Sequence, residues 1–131
     1  MKSKRSLKSA RQAGARFETL VATWLKTWVD ERVERRHLAG VNDRGDITGL
    51  YHAGHRVVVE CKDYGGRVQL SQWMREAEIE AANDDAEICF IVAKRRGTTD
   101  PAEQWVITTL DQMTTILTCA TTHRKEKQNA H

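Results

Sequence analysis

The chain has 131 residues, of which 40% are apolar and 30% charged, and its formal net charge at pH 7 is +3. This length and balance fit one soluble globular domain. No apolar stretch approaches the roughly 20 residues of a membrane-spanning helix, and the amino-terminus lacks the apolar core of a secretion signal. We therefore expect a protein of the cytoplasm, neither secreted nor inserted in a membrane.

The cysteines do not fit a small domain stabilised by disulfide bonds or by zinc. Cys61, Cys89 and Cys119 are odd in number and widely separated, without C-x-x-C spacing. They predict small buried residues in a reducing compartment rather than a zinc site or a disulfide framework.

A basic segment opens the chain. Six basic residues precede the first acidic residue, Glu18; they are Lys2, Lys4, Arg5, Lys8, Arg11 and Arg16. Such a block is typical of a segment that contacts phosphates. Residues 1–8 are polar without periodicity, so we predict a disordered basic arm there, one domain over residues 9–120 and a flexible polar tail over residues 121–131.

A helix is predicted from about Ser9 to Arg35, because apolar residues recur there at helical spacing. Its predicted core face consists of Phe17, Leu20, Val21, Trp24, Leu25, Trp28 and Val29. We interpret the two tryptophans as core residues rather than as platforms for DNA bases.

A short strand is predicted at residues 37–41, followed by a turn at residues 42–45. Three arginines, Arg35, Arg36 and Arg44, lie on the segments that lead towards the next acidic residues. Two roles remain open for them, salt bridging in solvent and phosphate contact. Arg44 favours phosphate contact, because it lies two residues before Asp46.

A β-hairpin is predicted around the turn signal at residues 53–54. Residues 57–59 are a run of valines typical of a buried strand, and residues 46–51 form the preceding antiparallel strand. Because side chains alternate along a strand, Glu60 and Lys62 share one face. Charged groups at the end of a core strand are costly unless they are paired or hold a metal.

The register of this hairpin decides whether Asp46 joins the other two charges. A strict two-residue turn places Asp46 opposite Cys61, on the wrong face. One extra loop residue, or a bulge at Gly49, places it opposite Glu60 or Lys62 instead. We predict the second arrangement because three charges then converge; the alternative is an edge hairpin with a surface Glu-Lys pair.

The second half of the chain predicts a helix, two strands and a terminal helix. The helix at residues 70–83 has an inward face made of Leu70, Trp73, Met74, Ala77 and Ala81. Residues 88–93 are a continuous apolar run, which predicts a central strand reached by a parallel crossover. A strand at residues 105–110 and a short helix at residues 111–117 follow. Between them and the central strand lies a second basic cluster, Lys94, Arg95 and Arg96.

This order of residues resembles the PD-(D/E)xK nuclease superfamily, whose motif is an acid, a hairpin and then E-x-K on the next strand. The matching residues are Asp46 and Glu60-Cys61-Lys62, with Gly45 where the family often has proline. Among its branches, the chain most resembles the small Holliday-junction resolvase-type proteins of archaea and phages, which begin with a helix carrying G-x-x-F/Y-E. Here that motif runs from Gly14 to Glu18. The resemblance implies an α/β, restriction-endonuclease-like core with a mixed central β-sheet flanked by helices, in the order α-β-β-β-α-β.

The resemblance also implies a catalytic set made of Glu18, Asp46, Glu60 and Lys62. Asp46 and Glu60 would bind Mg²⁺, with Mn²⁺ as a substitute, and the backbone carbonyl of Cys61 would be a third ligand. Glu18 would bind a second ion or orient the attacking water. Lys62 would position that water or stabilise the charge of the transition state.

Branched or double-stranded DNA is the implied partner, in a bacterial host cell or its nucleoid. The residues predicted to bind it are Lys4, Arg5, Lys8, Arg11, Arg16, Arg35, Arg36, Arg44, Gln72, Lys94, Arg95 and Arg96. Gln69 and Gln72 are candidates for a polar residue that positions Lys62 or a phosphate; the alternative is a simple helix start. Resolution of a junction needs two symmetric cuts, so the resemblance implies a two-fold homodimer.

Three functions are therefore weighed. The first is a metal-dependent endonuclease that resolves Holliday junctions. The second is a restriction- or repair-type nuclease of the same fold, and the third is a non-catalytic DNA-binding protein. The complete set of three acids and a lysine argues against the third, because loss of activity usually removes one of them.

Overall fold

A mixed β-sheet with helices on both faces organises the computed structural model of the chain. The structure describes residues 6–36 and 45–118. The helices are α1 (Leu7–Trp28), α2 (Leu70–Asn83) and α3 (Leu110–Thr118), and a short 3₁₀ helix covers Pro101–Glu103. The strands are β1 (Glu34–Arg35), β2 (Ile47–Thr48), β3 (Tyr51–His52), β4 (His55–Lys62), β5 (Ile88–Ala93) and β6 (Trp105–Ile107).

The strands lie in the order β1-β2-β4-β5-β6, and β3 pairs with β4. Strands β4 and β5 are parallel, and the other described pairs are antiparallel. Helix α2 connects the two parallel strands, as such a pair requires. The predicted α/β class, with a mixed sheet flanked by helices in a restriction-endonuclease-like arrangement, is confirmed.

Strand β4 separates two apolar cores, because its side chains alternate between the two faces of the sheet. Val57 and Val59 pack on one face with Phe17 of α1. Val58 packs on the opposite face with Trp73 of α2. The sheet is therefore buried on both sides along β4, and the last residues of this strand emerge between the two helices.

A bulge sets the register between β4 and the strands that precede it. At the turn, His52 pairs with His55, the register of a two-residue loop. Further along, Ile47 pairs with Val59, which requires one more residue on the first side of the hairpin than on the second. Gly49 lies in this stretch with a positive φ of +84°. The predicted bulge is confirmed.

Helix α1 ends earlier than the sequence predicts. It stops at Trp28 rather than at Arg35, and it begins at Leu7 rather than at about Ser9. Val33 is fully buried, and Glu34 and Arg35 pair with β2, so core burial and strand pairing override the helical pattern of this stretch. The interpretation of Trp28 as a core residue is wrong, since this residue is 69% exposed.

The other elements lie close to their predicted positions. Leu70 was predicted to face inward but is 51% exposed, because it starts α2 beyond the edge of the core. The last strand is shorter than predicted, and α3 begins at Leu110. The strand predicted at residues 37–41 lies outside the described residues. None of the described helices is long and apolar enough to cross a membrane.

Candidate active site

Asp46 and Glu60 lie side by side where β2 and β4 meet. Asp46 lies one residue before the Ile47–Val59 pair, and both its backbone and its side chain bind β4. The Asp46 N–H donates to the carbonyl oxygen of Val59 at 3.1 Å, and Asp46 Oδ2 accepts from the N–H of Cys61 at 2.7 Å. The two carboxyl groups are within hydrogen-bonding reach of each other. The carboxyl groups of Asp46 and Glu60 therefore converge, as the sequence predicted.

The environment of Glu60 disfavours its negative charge. Glu60 is 6% exposed, on the face of β4 that packs against α2. Burial, and after it the contacts with Glu80 and Asp46, raise the pKa of Glu60 far above its ordinary value. Its Oε2 atom is buried and accepts no hydrogen bond from the described residues. A cation beside this oxygen would compensate the charge.

Glu18 approaches the same acids from α1. Its Oε2 accepts a hydrogen bond from Nε of Arg35 at 2.7 Å. Burial raises the pKa of Glu18, Arg35 opposes the rise, and the neighbouring carboxyl group of Asp46 adds to it. The structure thus brings Glu18 within hydrogen-bonding reach of Asp46, while Arg35 is held in an ion pair. For Arg35 this favours the salt-bridging alternative.

Lys62 lies on the same face as Glu60 and is bound by α2. Its Nζ donates to Oε2 of Glu76 at 2.6 Å, and Gln72 donates to the other oxygen of Glu76 at 3.2 Å. Burial acts to lower the pKa of Lys62, but the hydrogen bond to Glu76 and the attraction of the neighbouring acids outweigh it, and the pKa is raised. The same hydrogen bond lowers the pKa of Glu76. Gln72 therefore reaches Lys62 through Glu76 rather than directly.

Two acids of α2 were missed by the sequence analysis. Glu80 is 6% exposed and lies within hydrogen-bonding reach of Glu60, and Glu76 binds Lys62. The two residues are four apart on one side of α2, next to the inward-facing Ala77. The sequence signal that could have identified them is a pair of acids, four residues apart, beside the apolar stripe of the helix.

The predicted DNA-binding residues differ in whether the structure describes them and in whether they already have partners. Lys4, Arg5 and Arg44 lie outside the described residues. A second group is exposed and forms no ion pair with a described residue; it consists of Lys8, Arg11, Arg16 and Arg96. Lys8 lies on helix α1, although the sequence placed it in the arm.

The remaining three cations already have partners. Nη2 of Arg36 donates to Oδ2 of Asp84 at 3.1 Å. The guanidinium of Arg95 lies over the ring of Trp105, 4.5 Å from its centroid. Nζ of Lys94 donates to the backbone carbonyl oxygens of the loop that follows β5. These contacts hold the cations in place, and a phosphate contact by Arg36 would have to compete with its carboxylate.

The donor atoms suit a hard divalent ion such as Mg²⁺. Asp46 and Glu60 offer carboxylate oxygens, one of them buried without a hydrogen-bond donor. Within residues 6–36 and 45–118, no group of three or more His, Cys, Asp and Glu side chains is arranged to hold a metal ion. Mg²⁺ does not require such a group, because it is usually bound through one or two carboxylates together with waters and substrate phosphates. Burial, followed by the charge of Asp46, raises the pKa of the Cys61 thiol, so only the carbonyl oxygen of Cys61 remains a candidate ligand.

Comparison with known proteins gives one match. A family model described as "Phage putative PDDEXK endonuclease" matches residues 9–129, which is most of the chain. No curated protein and no solved structure matches the chain. The resemblance drawn from the sequence, to this superfamily and to its phage proteins, is confirmed.

Proposed function

The chain belongs to the family of phage PDDEXK endonucleases, and we propose that it is a metal-dependent enzyme that hydrolyses DNA phosphodiester bonds at four-way Holliday junctions. The observation that carries the proposal is the attachment of Asp46 to β4 by two hydrogen bonds. It brings the carboxyl groups of Asp46 and Glu60 together on the face of the sheet that also carries Lys62. An acid pair beside a cation is what phosphodiester hydrolysis with a divalent ion requires.

Asp46 and Glu60 would hold Mg²⁺, with Mn²⁺ as a substitute, and the carbonyl oxygen of Cys61 would complete the protein ligands. When bound, the ion would activate water and neutralise charge on the scissile phosphate. Glu18 would orient water from the α1 side or take part in binding a second ion. Its ion pair with Arg35 fixes the direction of its carboxylate.

Lys62 would act as a hydrogen-bond donor to the phosphate. Because its pKa is raised, the ammonium group stays charged at neutral pH and is not a base. It would stabilise the negative charge that builds up on the phosphate oxygens in the transition state. The ion pair with Glu76 would hold the ammonium group in place for this contact.

The DNA backbone would be bound by the basic residues that precede Glu18 and by those that follow β5. Among the described residues, the exposed arginines Arg11, Arg16 and Arg96 support this role. If about six phosphates are neutralised, the logarithm of the affinity should fall with the logarithm of the salt concentration with a slope of about −5. Such contacts read no base sequence, so the enzyme would recognise the shape of the DNA.

The choice of a Holliday junction rests on the helix motif from Gly14 to Glu18. That motif is shared with resolvase-type proteins, and in this structure α1 places its glutamate next to Asp46. Two symmetric cuts at one junction would require a two-fold dimer. A restriction- or repair-type nuclease of the same fold is the alternative for the same site.

A cleavage assay on four DNA substrates tests the proposal. A four-way junction, a linear duplex, a nicked duplex and a single strand are incubated with Mg²⁺, with Mn²⁺ and with a chelator. Paired nicks at the junction that disappear with the chelator are expected. Cleavage of the linear duplex at an equal rate would support the restriction- or repair-type nuclease instead of a junction-specific enzyme. Binding without cleavage in either metal would refute the proposal that the protein is a nuclease.

The matched variants are Asp46→Asn and Asp85→Asn. The asparagine oxygen at position 46 can still accept the hydrogen bond from the N–H of Cys61, so the fold should be kept. We expect cleavage by Asp46→Asn to fall about a hundredfold or more while junction binding is retained. Asp85 is exposed on the loop after α2, and its variant should cut like the wild type.

A further inference from the structure

A cleft opens at the carboxyl ends of β4 and β5, between α1 and the loops that follow the two strands. Its volume is about 680 Å³, and its floor is formed by Phe17 and Leu20 of α1. Tyr64 forms part of its wall and is itself held edge-on against Trp73, with ring centroids 5.0 Å apart. The cleft thus combines an apolar floor with an aromatic side chain whose position is fixed.

Cations dominate the charge of this cleft. Arg16, Lys94 and Arg96 line it, against one carboxylate, that of Asp63. Arg16 and Arg96 are exposed and form no ion pair with a described residue. Nζ of Lys94 is fixed by backbone carbonyl oxygens, which keeps its charge at the edge of the cleft. A ligand with an anionic group and a flat apolar group would match both features.

The cleft is lined by the chain neighbours of two proposed site residues. Phe17 of its floor precedes Glu18, and Asp63 of its rim follows Lys62. Of these adjacent side chains of α1, Phe17 therefore lines the cleft and Glu18 approaches Asp46. Because Asp63 and Tyr64 of the cleft directly follow Lys62, we expect DNA whose phosphate reaches Lys62 to pass near the cleft.

We propose that this cleft holds one unpaired nucleotide of the DNA strand that is cut, with its base on the apolar floor and its phosphate beside Arg16 and Arg96. This inference rests on the proposed nuclease function. The volume lies within the range of about 300–1,000 Å³ that is typical of small-molecule sites, so a single base with its sugar can enter. Stacking on an aromatic ring and charge from arginine are the two features that single-stranded nucleic acid uses in its binding sites.

The proposal narrows the substrate to DNA with an unpaired base next to the cut. A base inside a duplex must be unstacked and unpaired before it can enter such a cleft, and this penalty is smallest for a base that is already unpaired. Open junction centres, flaps and bulges provide such bases, whereas a perfect duplex does not.

The first test compares binding to two duplexes in the presence of a chelator. The duplexes are identical except that one carries a single unpaired nucleotide. We expect the wild type to bind this duplex about tenfold more tightly, as one stacked base allows. Equal affinities for the two duplexes would overturn the proposal.

Two neighbouring glycines provide a matched pair of variants. Gly65 lines the cleft, Gly66 does not, and a Cβ atom at either position would meet nothing within 4 Å. Gly65→Leu should fill the cleft and abolish the preference while binding to the perfect duplex stays unchanged. Gly66→Leu should keep the preference. Retention of the preference by Gly65→Leu would refute the cleft as the nucleotide site.

Salt dependence tests the phosphate contact separately. Arg96→Ala should reduce the slope of log affinity against log salt by about 0.7 for the duplex with the unpaired nucleotide, the value for one phosphate of a single strand. Lys26→Ala, which removes an exposed cation at the far end of α1, should leave the slope unchanged. An unchanged slope for Arg96→Ala would contradict the proposal. Failure of cleavage with the binding preference intact would instead contradict the nuclease function alone.

Discussion

Among the described carboxyl groups, that of Glu60 has the surroundings that most strongly disfavour a negative charge. Its carboxyl group is buried next to Glu80 and Asp46, and one of its oxygens accepts no hydrogen bond from a described residue. Without a cation the folded protein favours the protonated acid, and a bound divalent ion would favour the carboxylate. Metal binding and proton release are therefore expected to be coupled at this residue.

This coupling gives the metal-free protein a defined pH dependence. Folding raises the pKa of Glu60 above its ordinary value of 4.5, so above that pH the folded state retains a proton that the unfolded state has released. The free energy of unfolding contributed by Glu60 is present below that pH and declines as the pH rises, by at most about 1.4 kcal/mol per pH unit. Glu60→Gln has no such proton and should remove this decline.

Urea denaturation in a chelator, at several pH values between about 5 and 8, measures the effect. The wild type should lose stability across this range more steeply than Glu60→Gln. Parallel curves for the two proteins would show that Glu60 does not titrate as its burial implies.

In the proposed reaction, Glu76 would act through Lys62. It binds the ammonium group at 2.6 Å and is in turn held by Gln72. Glu76→Gln should lower kcat about tenfold or more, since the lysine loses its charged anchor, and should change KM less. Glu78→Gln, an exposed glutamate on the same helix, is the control. Equal kcat values for the two variants would show that Glu76 does not position Lys62 for the reaction.

At the level of elements, the hairpin from β2 to β4 determines whether a site exists. A two-residue turn alone would place Asp46 opposite Cys61, and the bulge shifts β2 against β4 by one residue, which brings Asp46 to Glu60. Gly49 makes the bulge possible, because its φ is +84° and an added Cβ would lie 2.1 Å from the carbonyl oxygen of Arg32. Both the positive φ and the close approach of Arg32 therefore disfavour any residue other than glycine at position 49.

Gly49→Ala should therefore be more damaging than Gly54→Ala. Both glycines have positive φ, at +84° and +81°, but a Cβ at Gly54 meets nothing within 4 Å. Both variants should lose about 1–2 kcal/mol of unfolding free energy from the left-handed backbone conformation. Gly49→Ala should lose about 1–3 kcal/mol more from the clash, together with cleavage activity. Similar urea midpoints for the two variants would argue against a tight bulge.

How much of these elements the sequence could predict depends on where the determining contacts lie. The bounds of α2 and β5 follow from local patterns, a helical apolar stripe and a continuous apolar run, and both were predicted correctly. The end of α1 was not, because the burial of Val33 and the pairing of Arg35 are tertiary contacts. Glu76 and Glu80 were missed for the same reason, since their roles depend on how α2 is rotated over β4.

At the level of the whole molecule, the site combines acids from both sides of the sheet. Glu18 comes from α1, Glu80 from α2, and β4 lies between them with Glu60. Arg16 of α1 and Arg96 of the loop after β5 border the same end of the sheet. The division into a basic arm, one nuclease domain and a polar tail remains a prediction, as does the homodimer.

The central claim is that the carboxyl groups of Asp46 and Glu60 form the binding site of a catalytic divalent ion. Calorimetric titration with Mn²⁺, in the absence of DNA, tests it most directly. We expect the wild type and Asp85→Asn to bind the ion alike, and Asp46→Asn and Glu60→Gln to bind it at least about tenfold more weakly. Wild-type affinity in Asp46→Asn would contradict the claim.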